Sequence, residues 1–451
     1  MKMQSRRDMD MTQGAIWKQM LLFALPLFVG NVFQQLYNTA DSLIVGRFLG
    51  SDALAAVSSS GSMIFLMVGF FNGMSVGAGV VISRFYGAKD PERVQRAIHT
   101  TVAFGLLAGV FLTVLGSVLA PLVLRWIGTP EDVMPNSVMY FRVYFLGVLG
   151  NVMYNILQGI HQAVGDSRNP LIFLIISSVT NVILDLVFVG VFGFGVGSAA
   201  LATIMSQLLS ALLSARHLMR APEEYRLYLK KIGIDGEMLR QVVRNGLPGG
   251  IQNSIISLAN VVMQSNINVF GSEAMAGCGA YQKLEGFGFI PVTCFVMALT
   301  TFVSQNLGAR QYERAKKGAA FGVVCSVLLA ELIGLSVYGF APGLISLFDE
   351  NPQVVSFGVS YARTVTPFFC LLAFSHCCAG ILRGSGRAVV PMLVMAIAWC
   401  GIRITYVTIA VRFSPLISTV VSAWPVTWAV STAVFSVYLW RSDWVHGFEK
   451  K

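Results

Sequence analysis

Long apolar runs separated by short polar breaks dominate this 451-residue chain. A helix of about 20 mostly apolar residues crosses the hydrocarbon of a bilayer. In lipid only helices and closed barrels satisfy their own backbone polar groups. Twelve such runs are read from the sequence, at 17-46, 54-82, 98-124, 137-162, 169-191, 196-219, 240-269, 274-305, 318-347, 353-382, 389-411 and 416-440. With 55% hydrophobic and 12% charged residues, and a mean hydropathy of +0.68, the expected class is an all-α integral membrane protein with twelve transmembrane helices. The polar start MKMQSRRDMDMTQ runs into a full-length apolar segment, with no short apolar stretch and small-residue cleavage site, so the first helix is expected to direct insertion.

Positive charge then orients the chain, because Lys and Arg accumulate in cytoplasmic loops. With the amino terminus inside, 25 of the 32 Lys and Arg fall in or beside inner segments, two (Arg125 and Arg412) in outer loops, and the other five within or at the ends of helices. The expectation is a multi-pass protein of the plasma (inner) membrane with both termini cytoplasmic. Lys89, Lys230 and Lys316 then face the cytoplasm, and Thr129 and Asn351 face outside. The net charge of +10 reads as membrane topology, and no nucleic-acid partner is expected. The seven cysteines have no CxxC pair and no His at metal-ligand spacing, and they read as small packing residues.

The chain also repeats itself. GSDALAAV at 50 returns as GSEAMAGC at 271, and SRFYGAKDPERVQRA at 83 returns as SQNLGARQYERAKKG at 304, both at an offset of 221. Tyr140 and Arg142 recur as Tyr361 and Arg363, and Pro170 recurs as Pro391. Near the start of each half the offset is 222, matching Pro26 to Pro248 and Asn38 to Asn260. Six helices per unit give both copies the same orientation, a build found in secondary transporters. The expected domains are an amino-terminal lobe (1-220), a cytoplasmic linker (221-239) and a carboxy-terminal lobe (240-451). The charged stretch 216-244 reads as a solvated linker against anionic headgroups.

Charges at mid-membrane cost roughly 2.5–3.5 kcal/mol on insertion scales, so the few that occur are usually functional. The candidates are Asp41, Asp185, Lys283, Glu285 and Glu331. Arg47, Arg142, Arg363 and Arg403 lie nearer helix ends, where long side chains snorkel to headgroups. Lys283 and Glu285 stand two apart and point to different helix faces, so they are not expected to pair, and Lys283 is a candidate cavity residue. For Glu331, structural pairing and function are equally open. Gln34, Tyr37 or Asn38, and Asp41 form a polar stripe at helical spacing in the first helix. Asn181 and Asp185, at i and i+4, share a face of the fifth, and Thr203 of the sixth is expected to close the same pocket. Such oxygen ligands suit a small hard cation. Two close carboxylates also resist joint ionisation and so favour proton uptake. The bland alternative is that each acid caps or pairs within the bundle. Pro26 in the first helix and Pro248 in the seventh free a backbone carbonyl and permit a bend.

Together the duplicated layout, ALPLFVGNVFQQLYNTADSLIVGRFLG, the paired GA[K/R]xxER loops, GDSRNP and TNVILD resemble the multidrug and toxic compound extrusion (MATE) family over nearly the whole chain. The resemblance implies a V-shaped pair of lobes and cation-coupled export of bulky, often cationic and aromatic organic compounds, by a non-enzyme. It implies no cofactor beyond the coupling ion, H+ or Na+. By position, Asp41, Asn181, Asp185 and Thr203 resemble the amino-lobe ion site of the DinF-like branch. Pro26, Tyr37 and Tyr140 resemble residues of the same cavity, and Gln34, Asn38 and Lys283 join them as candidates. Ile256 and Leu372 stand where the NorM-like branch has carboxylates, which argues against a carboxy-lobe ion site. The expected partners are organic substrates and membrane lipid, with the chain a monomer. The rival reading is a flippase for lipid-linked glycan precursors, which shares the superfamily fold but needs a strongly cationic cavity. HExxH, GxxxxGK[ST] and GxGD elements are absent, so zinc hydrolysis, ATP drive and intramembrane aspartyl proteolysis are not indicated.

Overall fold

The computed structural model describes residues 10–49, 51–126, 129, 131 and 133–448. Among them there is no strand. In chain order the helices are α1 (Ile16–Leu49), α2 (Ser51–Gly87), α3 (Pro91–Trp126), α4 (Met134–Leu146), α5 (Val148–Ala163), α6 (Arg168–Asp185), α7 (Gly197–Met219) and α8 (Gly236–Asn268). They continue with α9 (Ser272–Gly308), α10 (Tyr312–Ser346), α11 (Pro352–Val365), α12 (Phe369–Gly384), α13 (Val389–Met395), α14 (Arg403–Phe413), α15 (Ile417–Val421) and α16 (Ala423–Arg441). The basic residues of the extreme amino terminus, Lys2, Arg6 and Arg7, lie outside the described residues.

Among the described residues ten spans are long and apolar enough to cross a membrane. An eleventh forms when α4 and α5, bent by 50° about Gly147, count as one. The remaining expected span, 240-269, is α8, a 33-residue helix whose Gln252, Asn253, Asn260, Gln264 and Asn266 leave it more polar than the rest. The chain is thus a multi-pass helical membrane protein.

Its helices are inside-out relative to those of a water-soluble bundle. In α3 the buried stripe is Gly105, Gly109, Leu112, Gly116 and Ala120, while Leu107, Val110, Phe111, Val114 and Val118 are more than half exposed. Lipid offers no hydrophobic drive for pairing helices, so close backbone approach at small residues does the work. A Cβ on Gly116 would fall 1.9 Å from the Phe145 ring. In α2 and α8 a Cβ on Gly77 would lie 2.2 Å from the backbone of Gly246.

The helices form two compact units, one of Asp10 with Leu25–Gly250, the other of Met11–Ala24 with the residues from Ile251 on. The division falls inside α1 just before Pro26 and inside α8 just after Pro248. The stretch read as a solvated linker is docked instead. Tyr225 and Leu227 are buried, the Leu227 amide donates to the Leu218 carbonyl, and Gln95 of α3 donates to the carbonyls of Glu223 and Arg226. Arg96 of α3 then holds Asp235 at 2.7 Å. Its apolar residues, sparse among the charges, are what the hydropathy reading averaged away.

Candidate ion and substrate site

Helix α1 carries Gln34, Tyr37 and Asp41 along one face, since offsets of three and four residues return to the same side. Tyr37 is an electrostatic neighbour of Asp41, with Gln34 beside it. Asn38 is one position further round and lies on the exposed face, with its carbonyl accepting from Ser42. The structure therefore takes Tyr37, not Asn38, as the residue between Gln34 and Asp41.

Asp185 is the last residue of α6, and the helix passes directly into a π-helical turn, Leu186–Val191. Such single π turns break the regular ladder and recur at functional sites. Asp185 and Asn181 are fully buried. The Asp185 and Asp41 carboxyl groups face each other. Neither oxygen of Asp185, neither polar atom of the Asn181 amide, nor Asp41 Oδ1 has a partner of ordinary hydrogen-bond geometry. Buried polar atoms are almost always paired, so this concentration of unsatisfied oxygens marks a place built to receive something. The donor set, two carboxylates and an amide, fits a proton or a small hard cation.

Tyr140 of α4 is an electrostatic neighbour of Asp41, Asp185, Tyr37 and Tyr144, and Tyr154 of α5 neighbours Tyr37. Tyr144 has Gln207 of α7 as a neighbour. Tyr144, Tyr154 and Gln207 were not singled out from sequence, although Tyr144 stands one helical turn after Tyr140 and could have been. Pro26 lies ten residues into α1. Thr203 is half-buried and spends its hydroxyl proton on the Ala199 carbonyl of its own helix, 3.1 Å away.

The second unit holds a different constellation. Arg403, read from sequence as a helix-end arginine, is instead buried to 1% exposure where a π-helical segment, Ala396–Ile402, enters α14. Its guanidinium lies over Trp399 and Trp424, 5.4 and 5.2 Å from the ring centroids, and donates to Thr427 Oγ1 at 3.0 and 3.3 Å. Flanking aromatic faces can hold a planar cation that snorkelling would otherwise take to the headgroups. Glu285 is its electrostatic neighbour and also neighbours Tyr281 and Tyr361, whose ring centroids lie 4.3 Å apart at a tilt of 39°. Tyr361 is the repeat-related copy of Tyr140, so each unit sets the same tyrosine beside its buried charged groups. Lys283 is exposed and lies 5.8 Å over the Phe348 ring. Glu331 accepts from the Cys370 amide at 2.9 Å and so caps the start of α12, a structural task. Leu372 is buried apolar packing.

Comparison with known proteins agrees with this architecture. The MatE family pattern matches residues 26–187 and again 248–409, two copies 222 positions apart. The chain is 29% identical over 438 residues to the "Probable multidrug resistance protein YoeA" of Bacillus subtilis (strain 168), covering 95% of this chain and 94% of that one. It is 25% identical over 362 residues to the "FAD transporter" of Shewanella oneidensis, covering 78% of each. A structure described as "Outward-facing conformation of a multidrug resistance MATE family transporter of the MOP superfamily" superposes with a TM-score of 0.91 at 22% identity over the whole of both chains. With its duplicated helical units and both copies of the family pattern matched, this chain belongs to the MatE family.

Proposed function

We propose that the protein is a secondary antiporter that exports bulky, aromatic organic compounds in exchange for H+ or Na+ by alternating access. The observation that carries the reading is the pair of facing carboxylates, Asp41 and Asp185, with Asn181 beside them and no cationic side chain paired with either among the described residues. An ion entering the outward-facing amino-terminal unit neutralises the acids and relieves their repulsion. Helix α1, free to bend at Pro26, then shifts and expels the substrate outward. Return to the inward state releases the ion to the cytoplasm. Tyr37, Tyr140, Tyr144 and Tyr154 supply aromatic walls that select for bulk and flatness more than for identity. The names of the relatives, covering drug resistance and a flavin nucleotide, fit that substrate class. The proposal places the chain in the plasma (inner) membrane with both termini cytoplasmic, needing no cofactor beyond the coupling ion.

The glycan-precursor flippase needs a strongly cationic cavity, whereas the buried Arg403 already has Glu285 as a neighbour. Proteoliposomes loaded with a fluorescent aromatic cation, given a pH gradient and a sodium gradient separately, test the proposal. Efflux driven by one of them supports it. Gradient-independent efflux, or none, sinks it.

A further inference from the structure

Outside this site the amino-terminal unit gathers three ligating side chains that are far apart in sequence. His161 lies in the last turn of α5, Asp166 in the turn that follows, and His217 in the last turn of α7. One ligand atom from each lies within 4.8 Å of the other two. His161 and Asp166 are almost completely buried, while His217 is half-buried.

The hydrogen bonds fix how these groups present themselves. His161 Nδ1 lies 2.8 Å from the Leu157 carbonyl, which can only accept, so Nδ1 carries the proton and Nε2 keeps its lone pair. A ring proton held by a backbone carbonyl is the usual support of a metal-ligating histidine. His161 Nε2 stands 3.1 Å from His217 Nδ1, close to the roughly 3.3 Å that separates two nitrogens on a tetrahedral ion with bonds of about 2.0–2.1 Å. The Asp166 carboxylate accepts from the amides of Arg168 and Asn169 and from the Asn169 side chain, three of about four lone-pair sites. Phe173 packs against both imidazoles and walls one side. The half-buried His217 leaves an entry path.

The repeat gives an independent view of the same place. The positions 221 residues on are Leu382, Arg387 and Tyr438, and there Arg387 donates to the Tyr438 hydroxyl at 3.1 Å. The fold therefore brings these positions together in both copies. In the second, a guanidinium supplies the positive charge within the cluster. In the first, two imidazoles and a carboxylate stand at the matching positions.

We propose that His161, Asp166 and His217 bind one divalent transition-metal ion of the zinc class, with the fourth position open to water. Such an ion ties the α5–α6 turn to the end of α7. Its ligands are nitrogen-rich, unlike the all-oxygen set at Asp41 and Asp185, so it is a separate site with a different ion preference. Without the ion, His217 Nδ1 donates to His161 Nε2; on binding, the His217 proton passes to its Nε2, which frees Nδ1 for the metal.

The test uses the full chain in detergent, freed of any affinity tag and stripped with EDTA, with Co2+ and Zn2+ as the probes. One equivalent of Co2+ should bind saturably with the intense visible bands of a tetrahedral nitrogen–oxygen site, and Zn2+ should displace it. His217→Gln, which removes the half-buried ring and keeps a polar side chain of similar reach, should weaken Co2+ binding at least about tenfold. It should also cancel the rise in melting temperature that Zn2+ gives the wild type, while melting like the wild type in EDTA. His446→Gln, which removes a surface histidine beside Asp443, should change neither reading. Absence of saturable Co2+ binding in the wild type overturns the proposal, as does equal binding by the His217→Gln variant.

Discussion

Lys89 and Arg310 stand 221 positions apart and both hold a left-handed backbone, with φ of +56° and +57°. Residues with a Cβ rarely adopt it. The neighbouring bonds repeat too: the Asp90 amide donates to the Phe85 carbonyl, and the Gln311 amide to that of Asn306. Gly165 and Gly386 form a second such pair, at +88° and +78°. The duplication thus survives at the level of single backbone dihedrals, although few side chains are shared. Against that common frame, what differs between the halves marks where they have specialised.

The acids of the amino-terminal unit are the first difference. Asp41→Asn and Asp185→Asn should each abolish gradient-driven efflux in proteoliposomes while the protein still inserts. Melting temperature should hold or rise, because a neutral amide in place of a carboxylate drawn out of water removes a desolvation cost. Wild-type efflux by both variants would move the coupling elsewhere.

Arg403 tests the second unit. Arg403→Lys keeps the charge but loses the planar stacking on Trp399 and Trp424 and the fork to Thr427, at a cost of roughly 1–3 kcal/mol. A thiol-reactive dye reads unfolding here, since Cys278, Cys294, Cys377 and Cys378 are buried. An unchanged melting curve would show that the cage does not hold the arginine.

Close helix packing makes a paired prediction. Gly77→Ala drives a Cβ into the Gly246 backbone and should destabilise by about 1–3 kcal/mol. Gly279→Ala, with nothing within 4 Å of its Cβ, should be neutral or stabilise α9 by up to about 1 kcal/mol. Thermal melts of the two in one detergent check the contrast, and equal shifts would refute it.

Asp235, in the docked segment before α8, accepts from the Met238 amide, which together with Arg96 holds its carboxyl below the ordinary carboxylate range. A depressed value means stability that is present above the unfolded value and lost as pH falls through the folded one. The melting temperature of Asp235→Asn should therefore fall below wild type at neutral pH, and the gap should close on acidification. A gap independent of pH would assign the effect to shape alone.

Much of this was legible in one dimension. Hydropathy alone determined the membrane class, because a bilayer admits few ways to satisfy a buried backbone, and the 221-residue offset revealed the duplication because homologous copies keep their loop residues. Helical spacing put Gln34, Tyr37 and Asp41 on one face, and Asn181 with Asp185 on another. Tertiary structure alone decided the rest: that the two carboxylates face each other, that Glu331 caps α12, that the 221–239 stretch is docked, and that Arg403 is caged rather than snorkelled. It also brought His161, Asp166 and His217 together from separate segments. Spacing along one helix is fixed by 3.6 residues per turn, whereas contact between helices depends on where small residues let backbones close, and no local period encodes that.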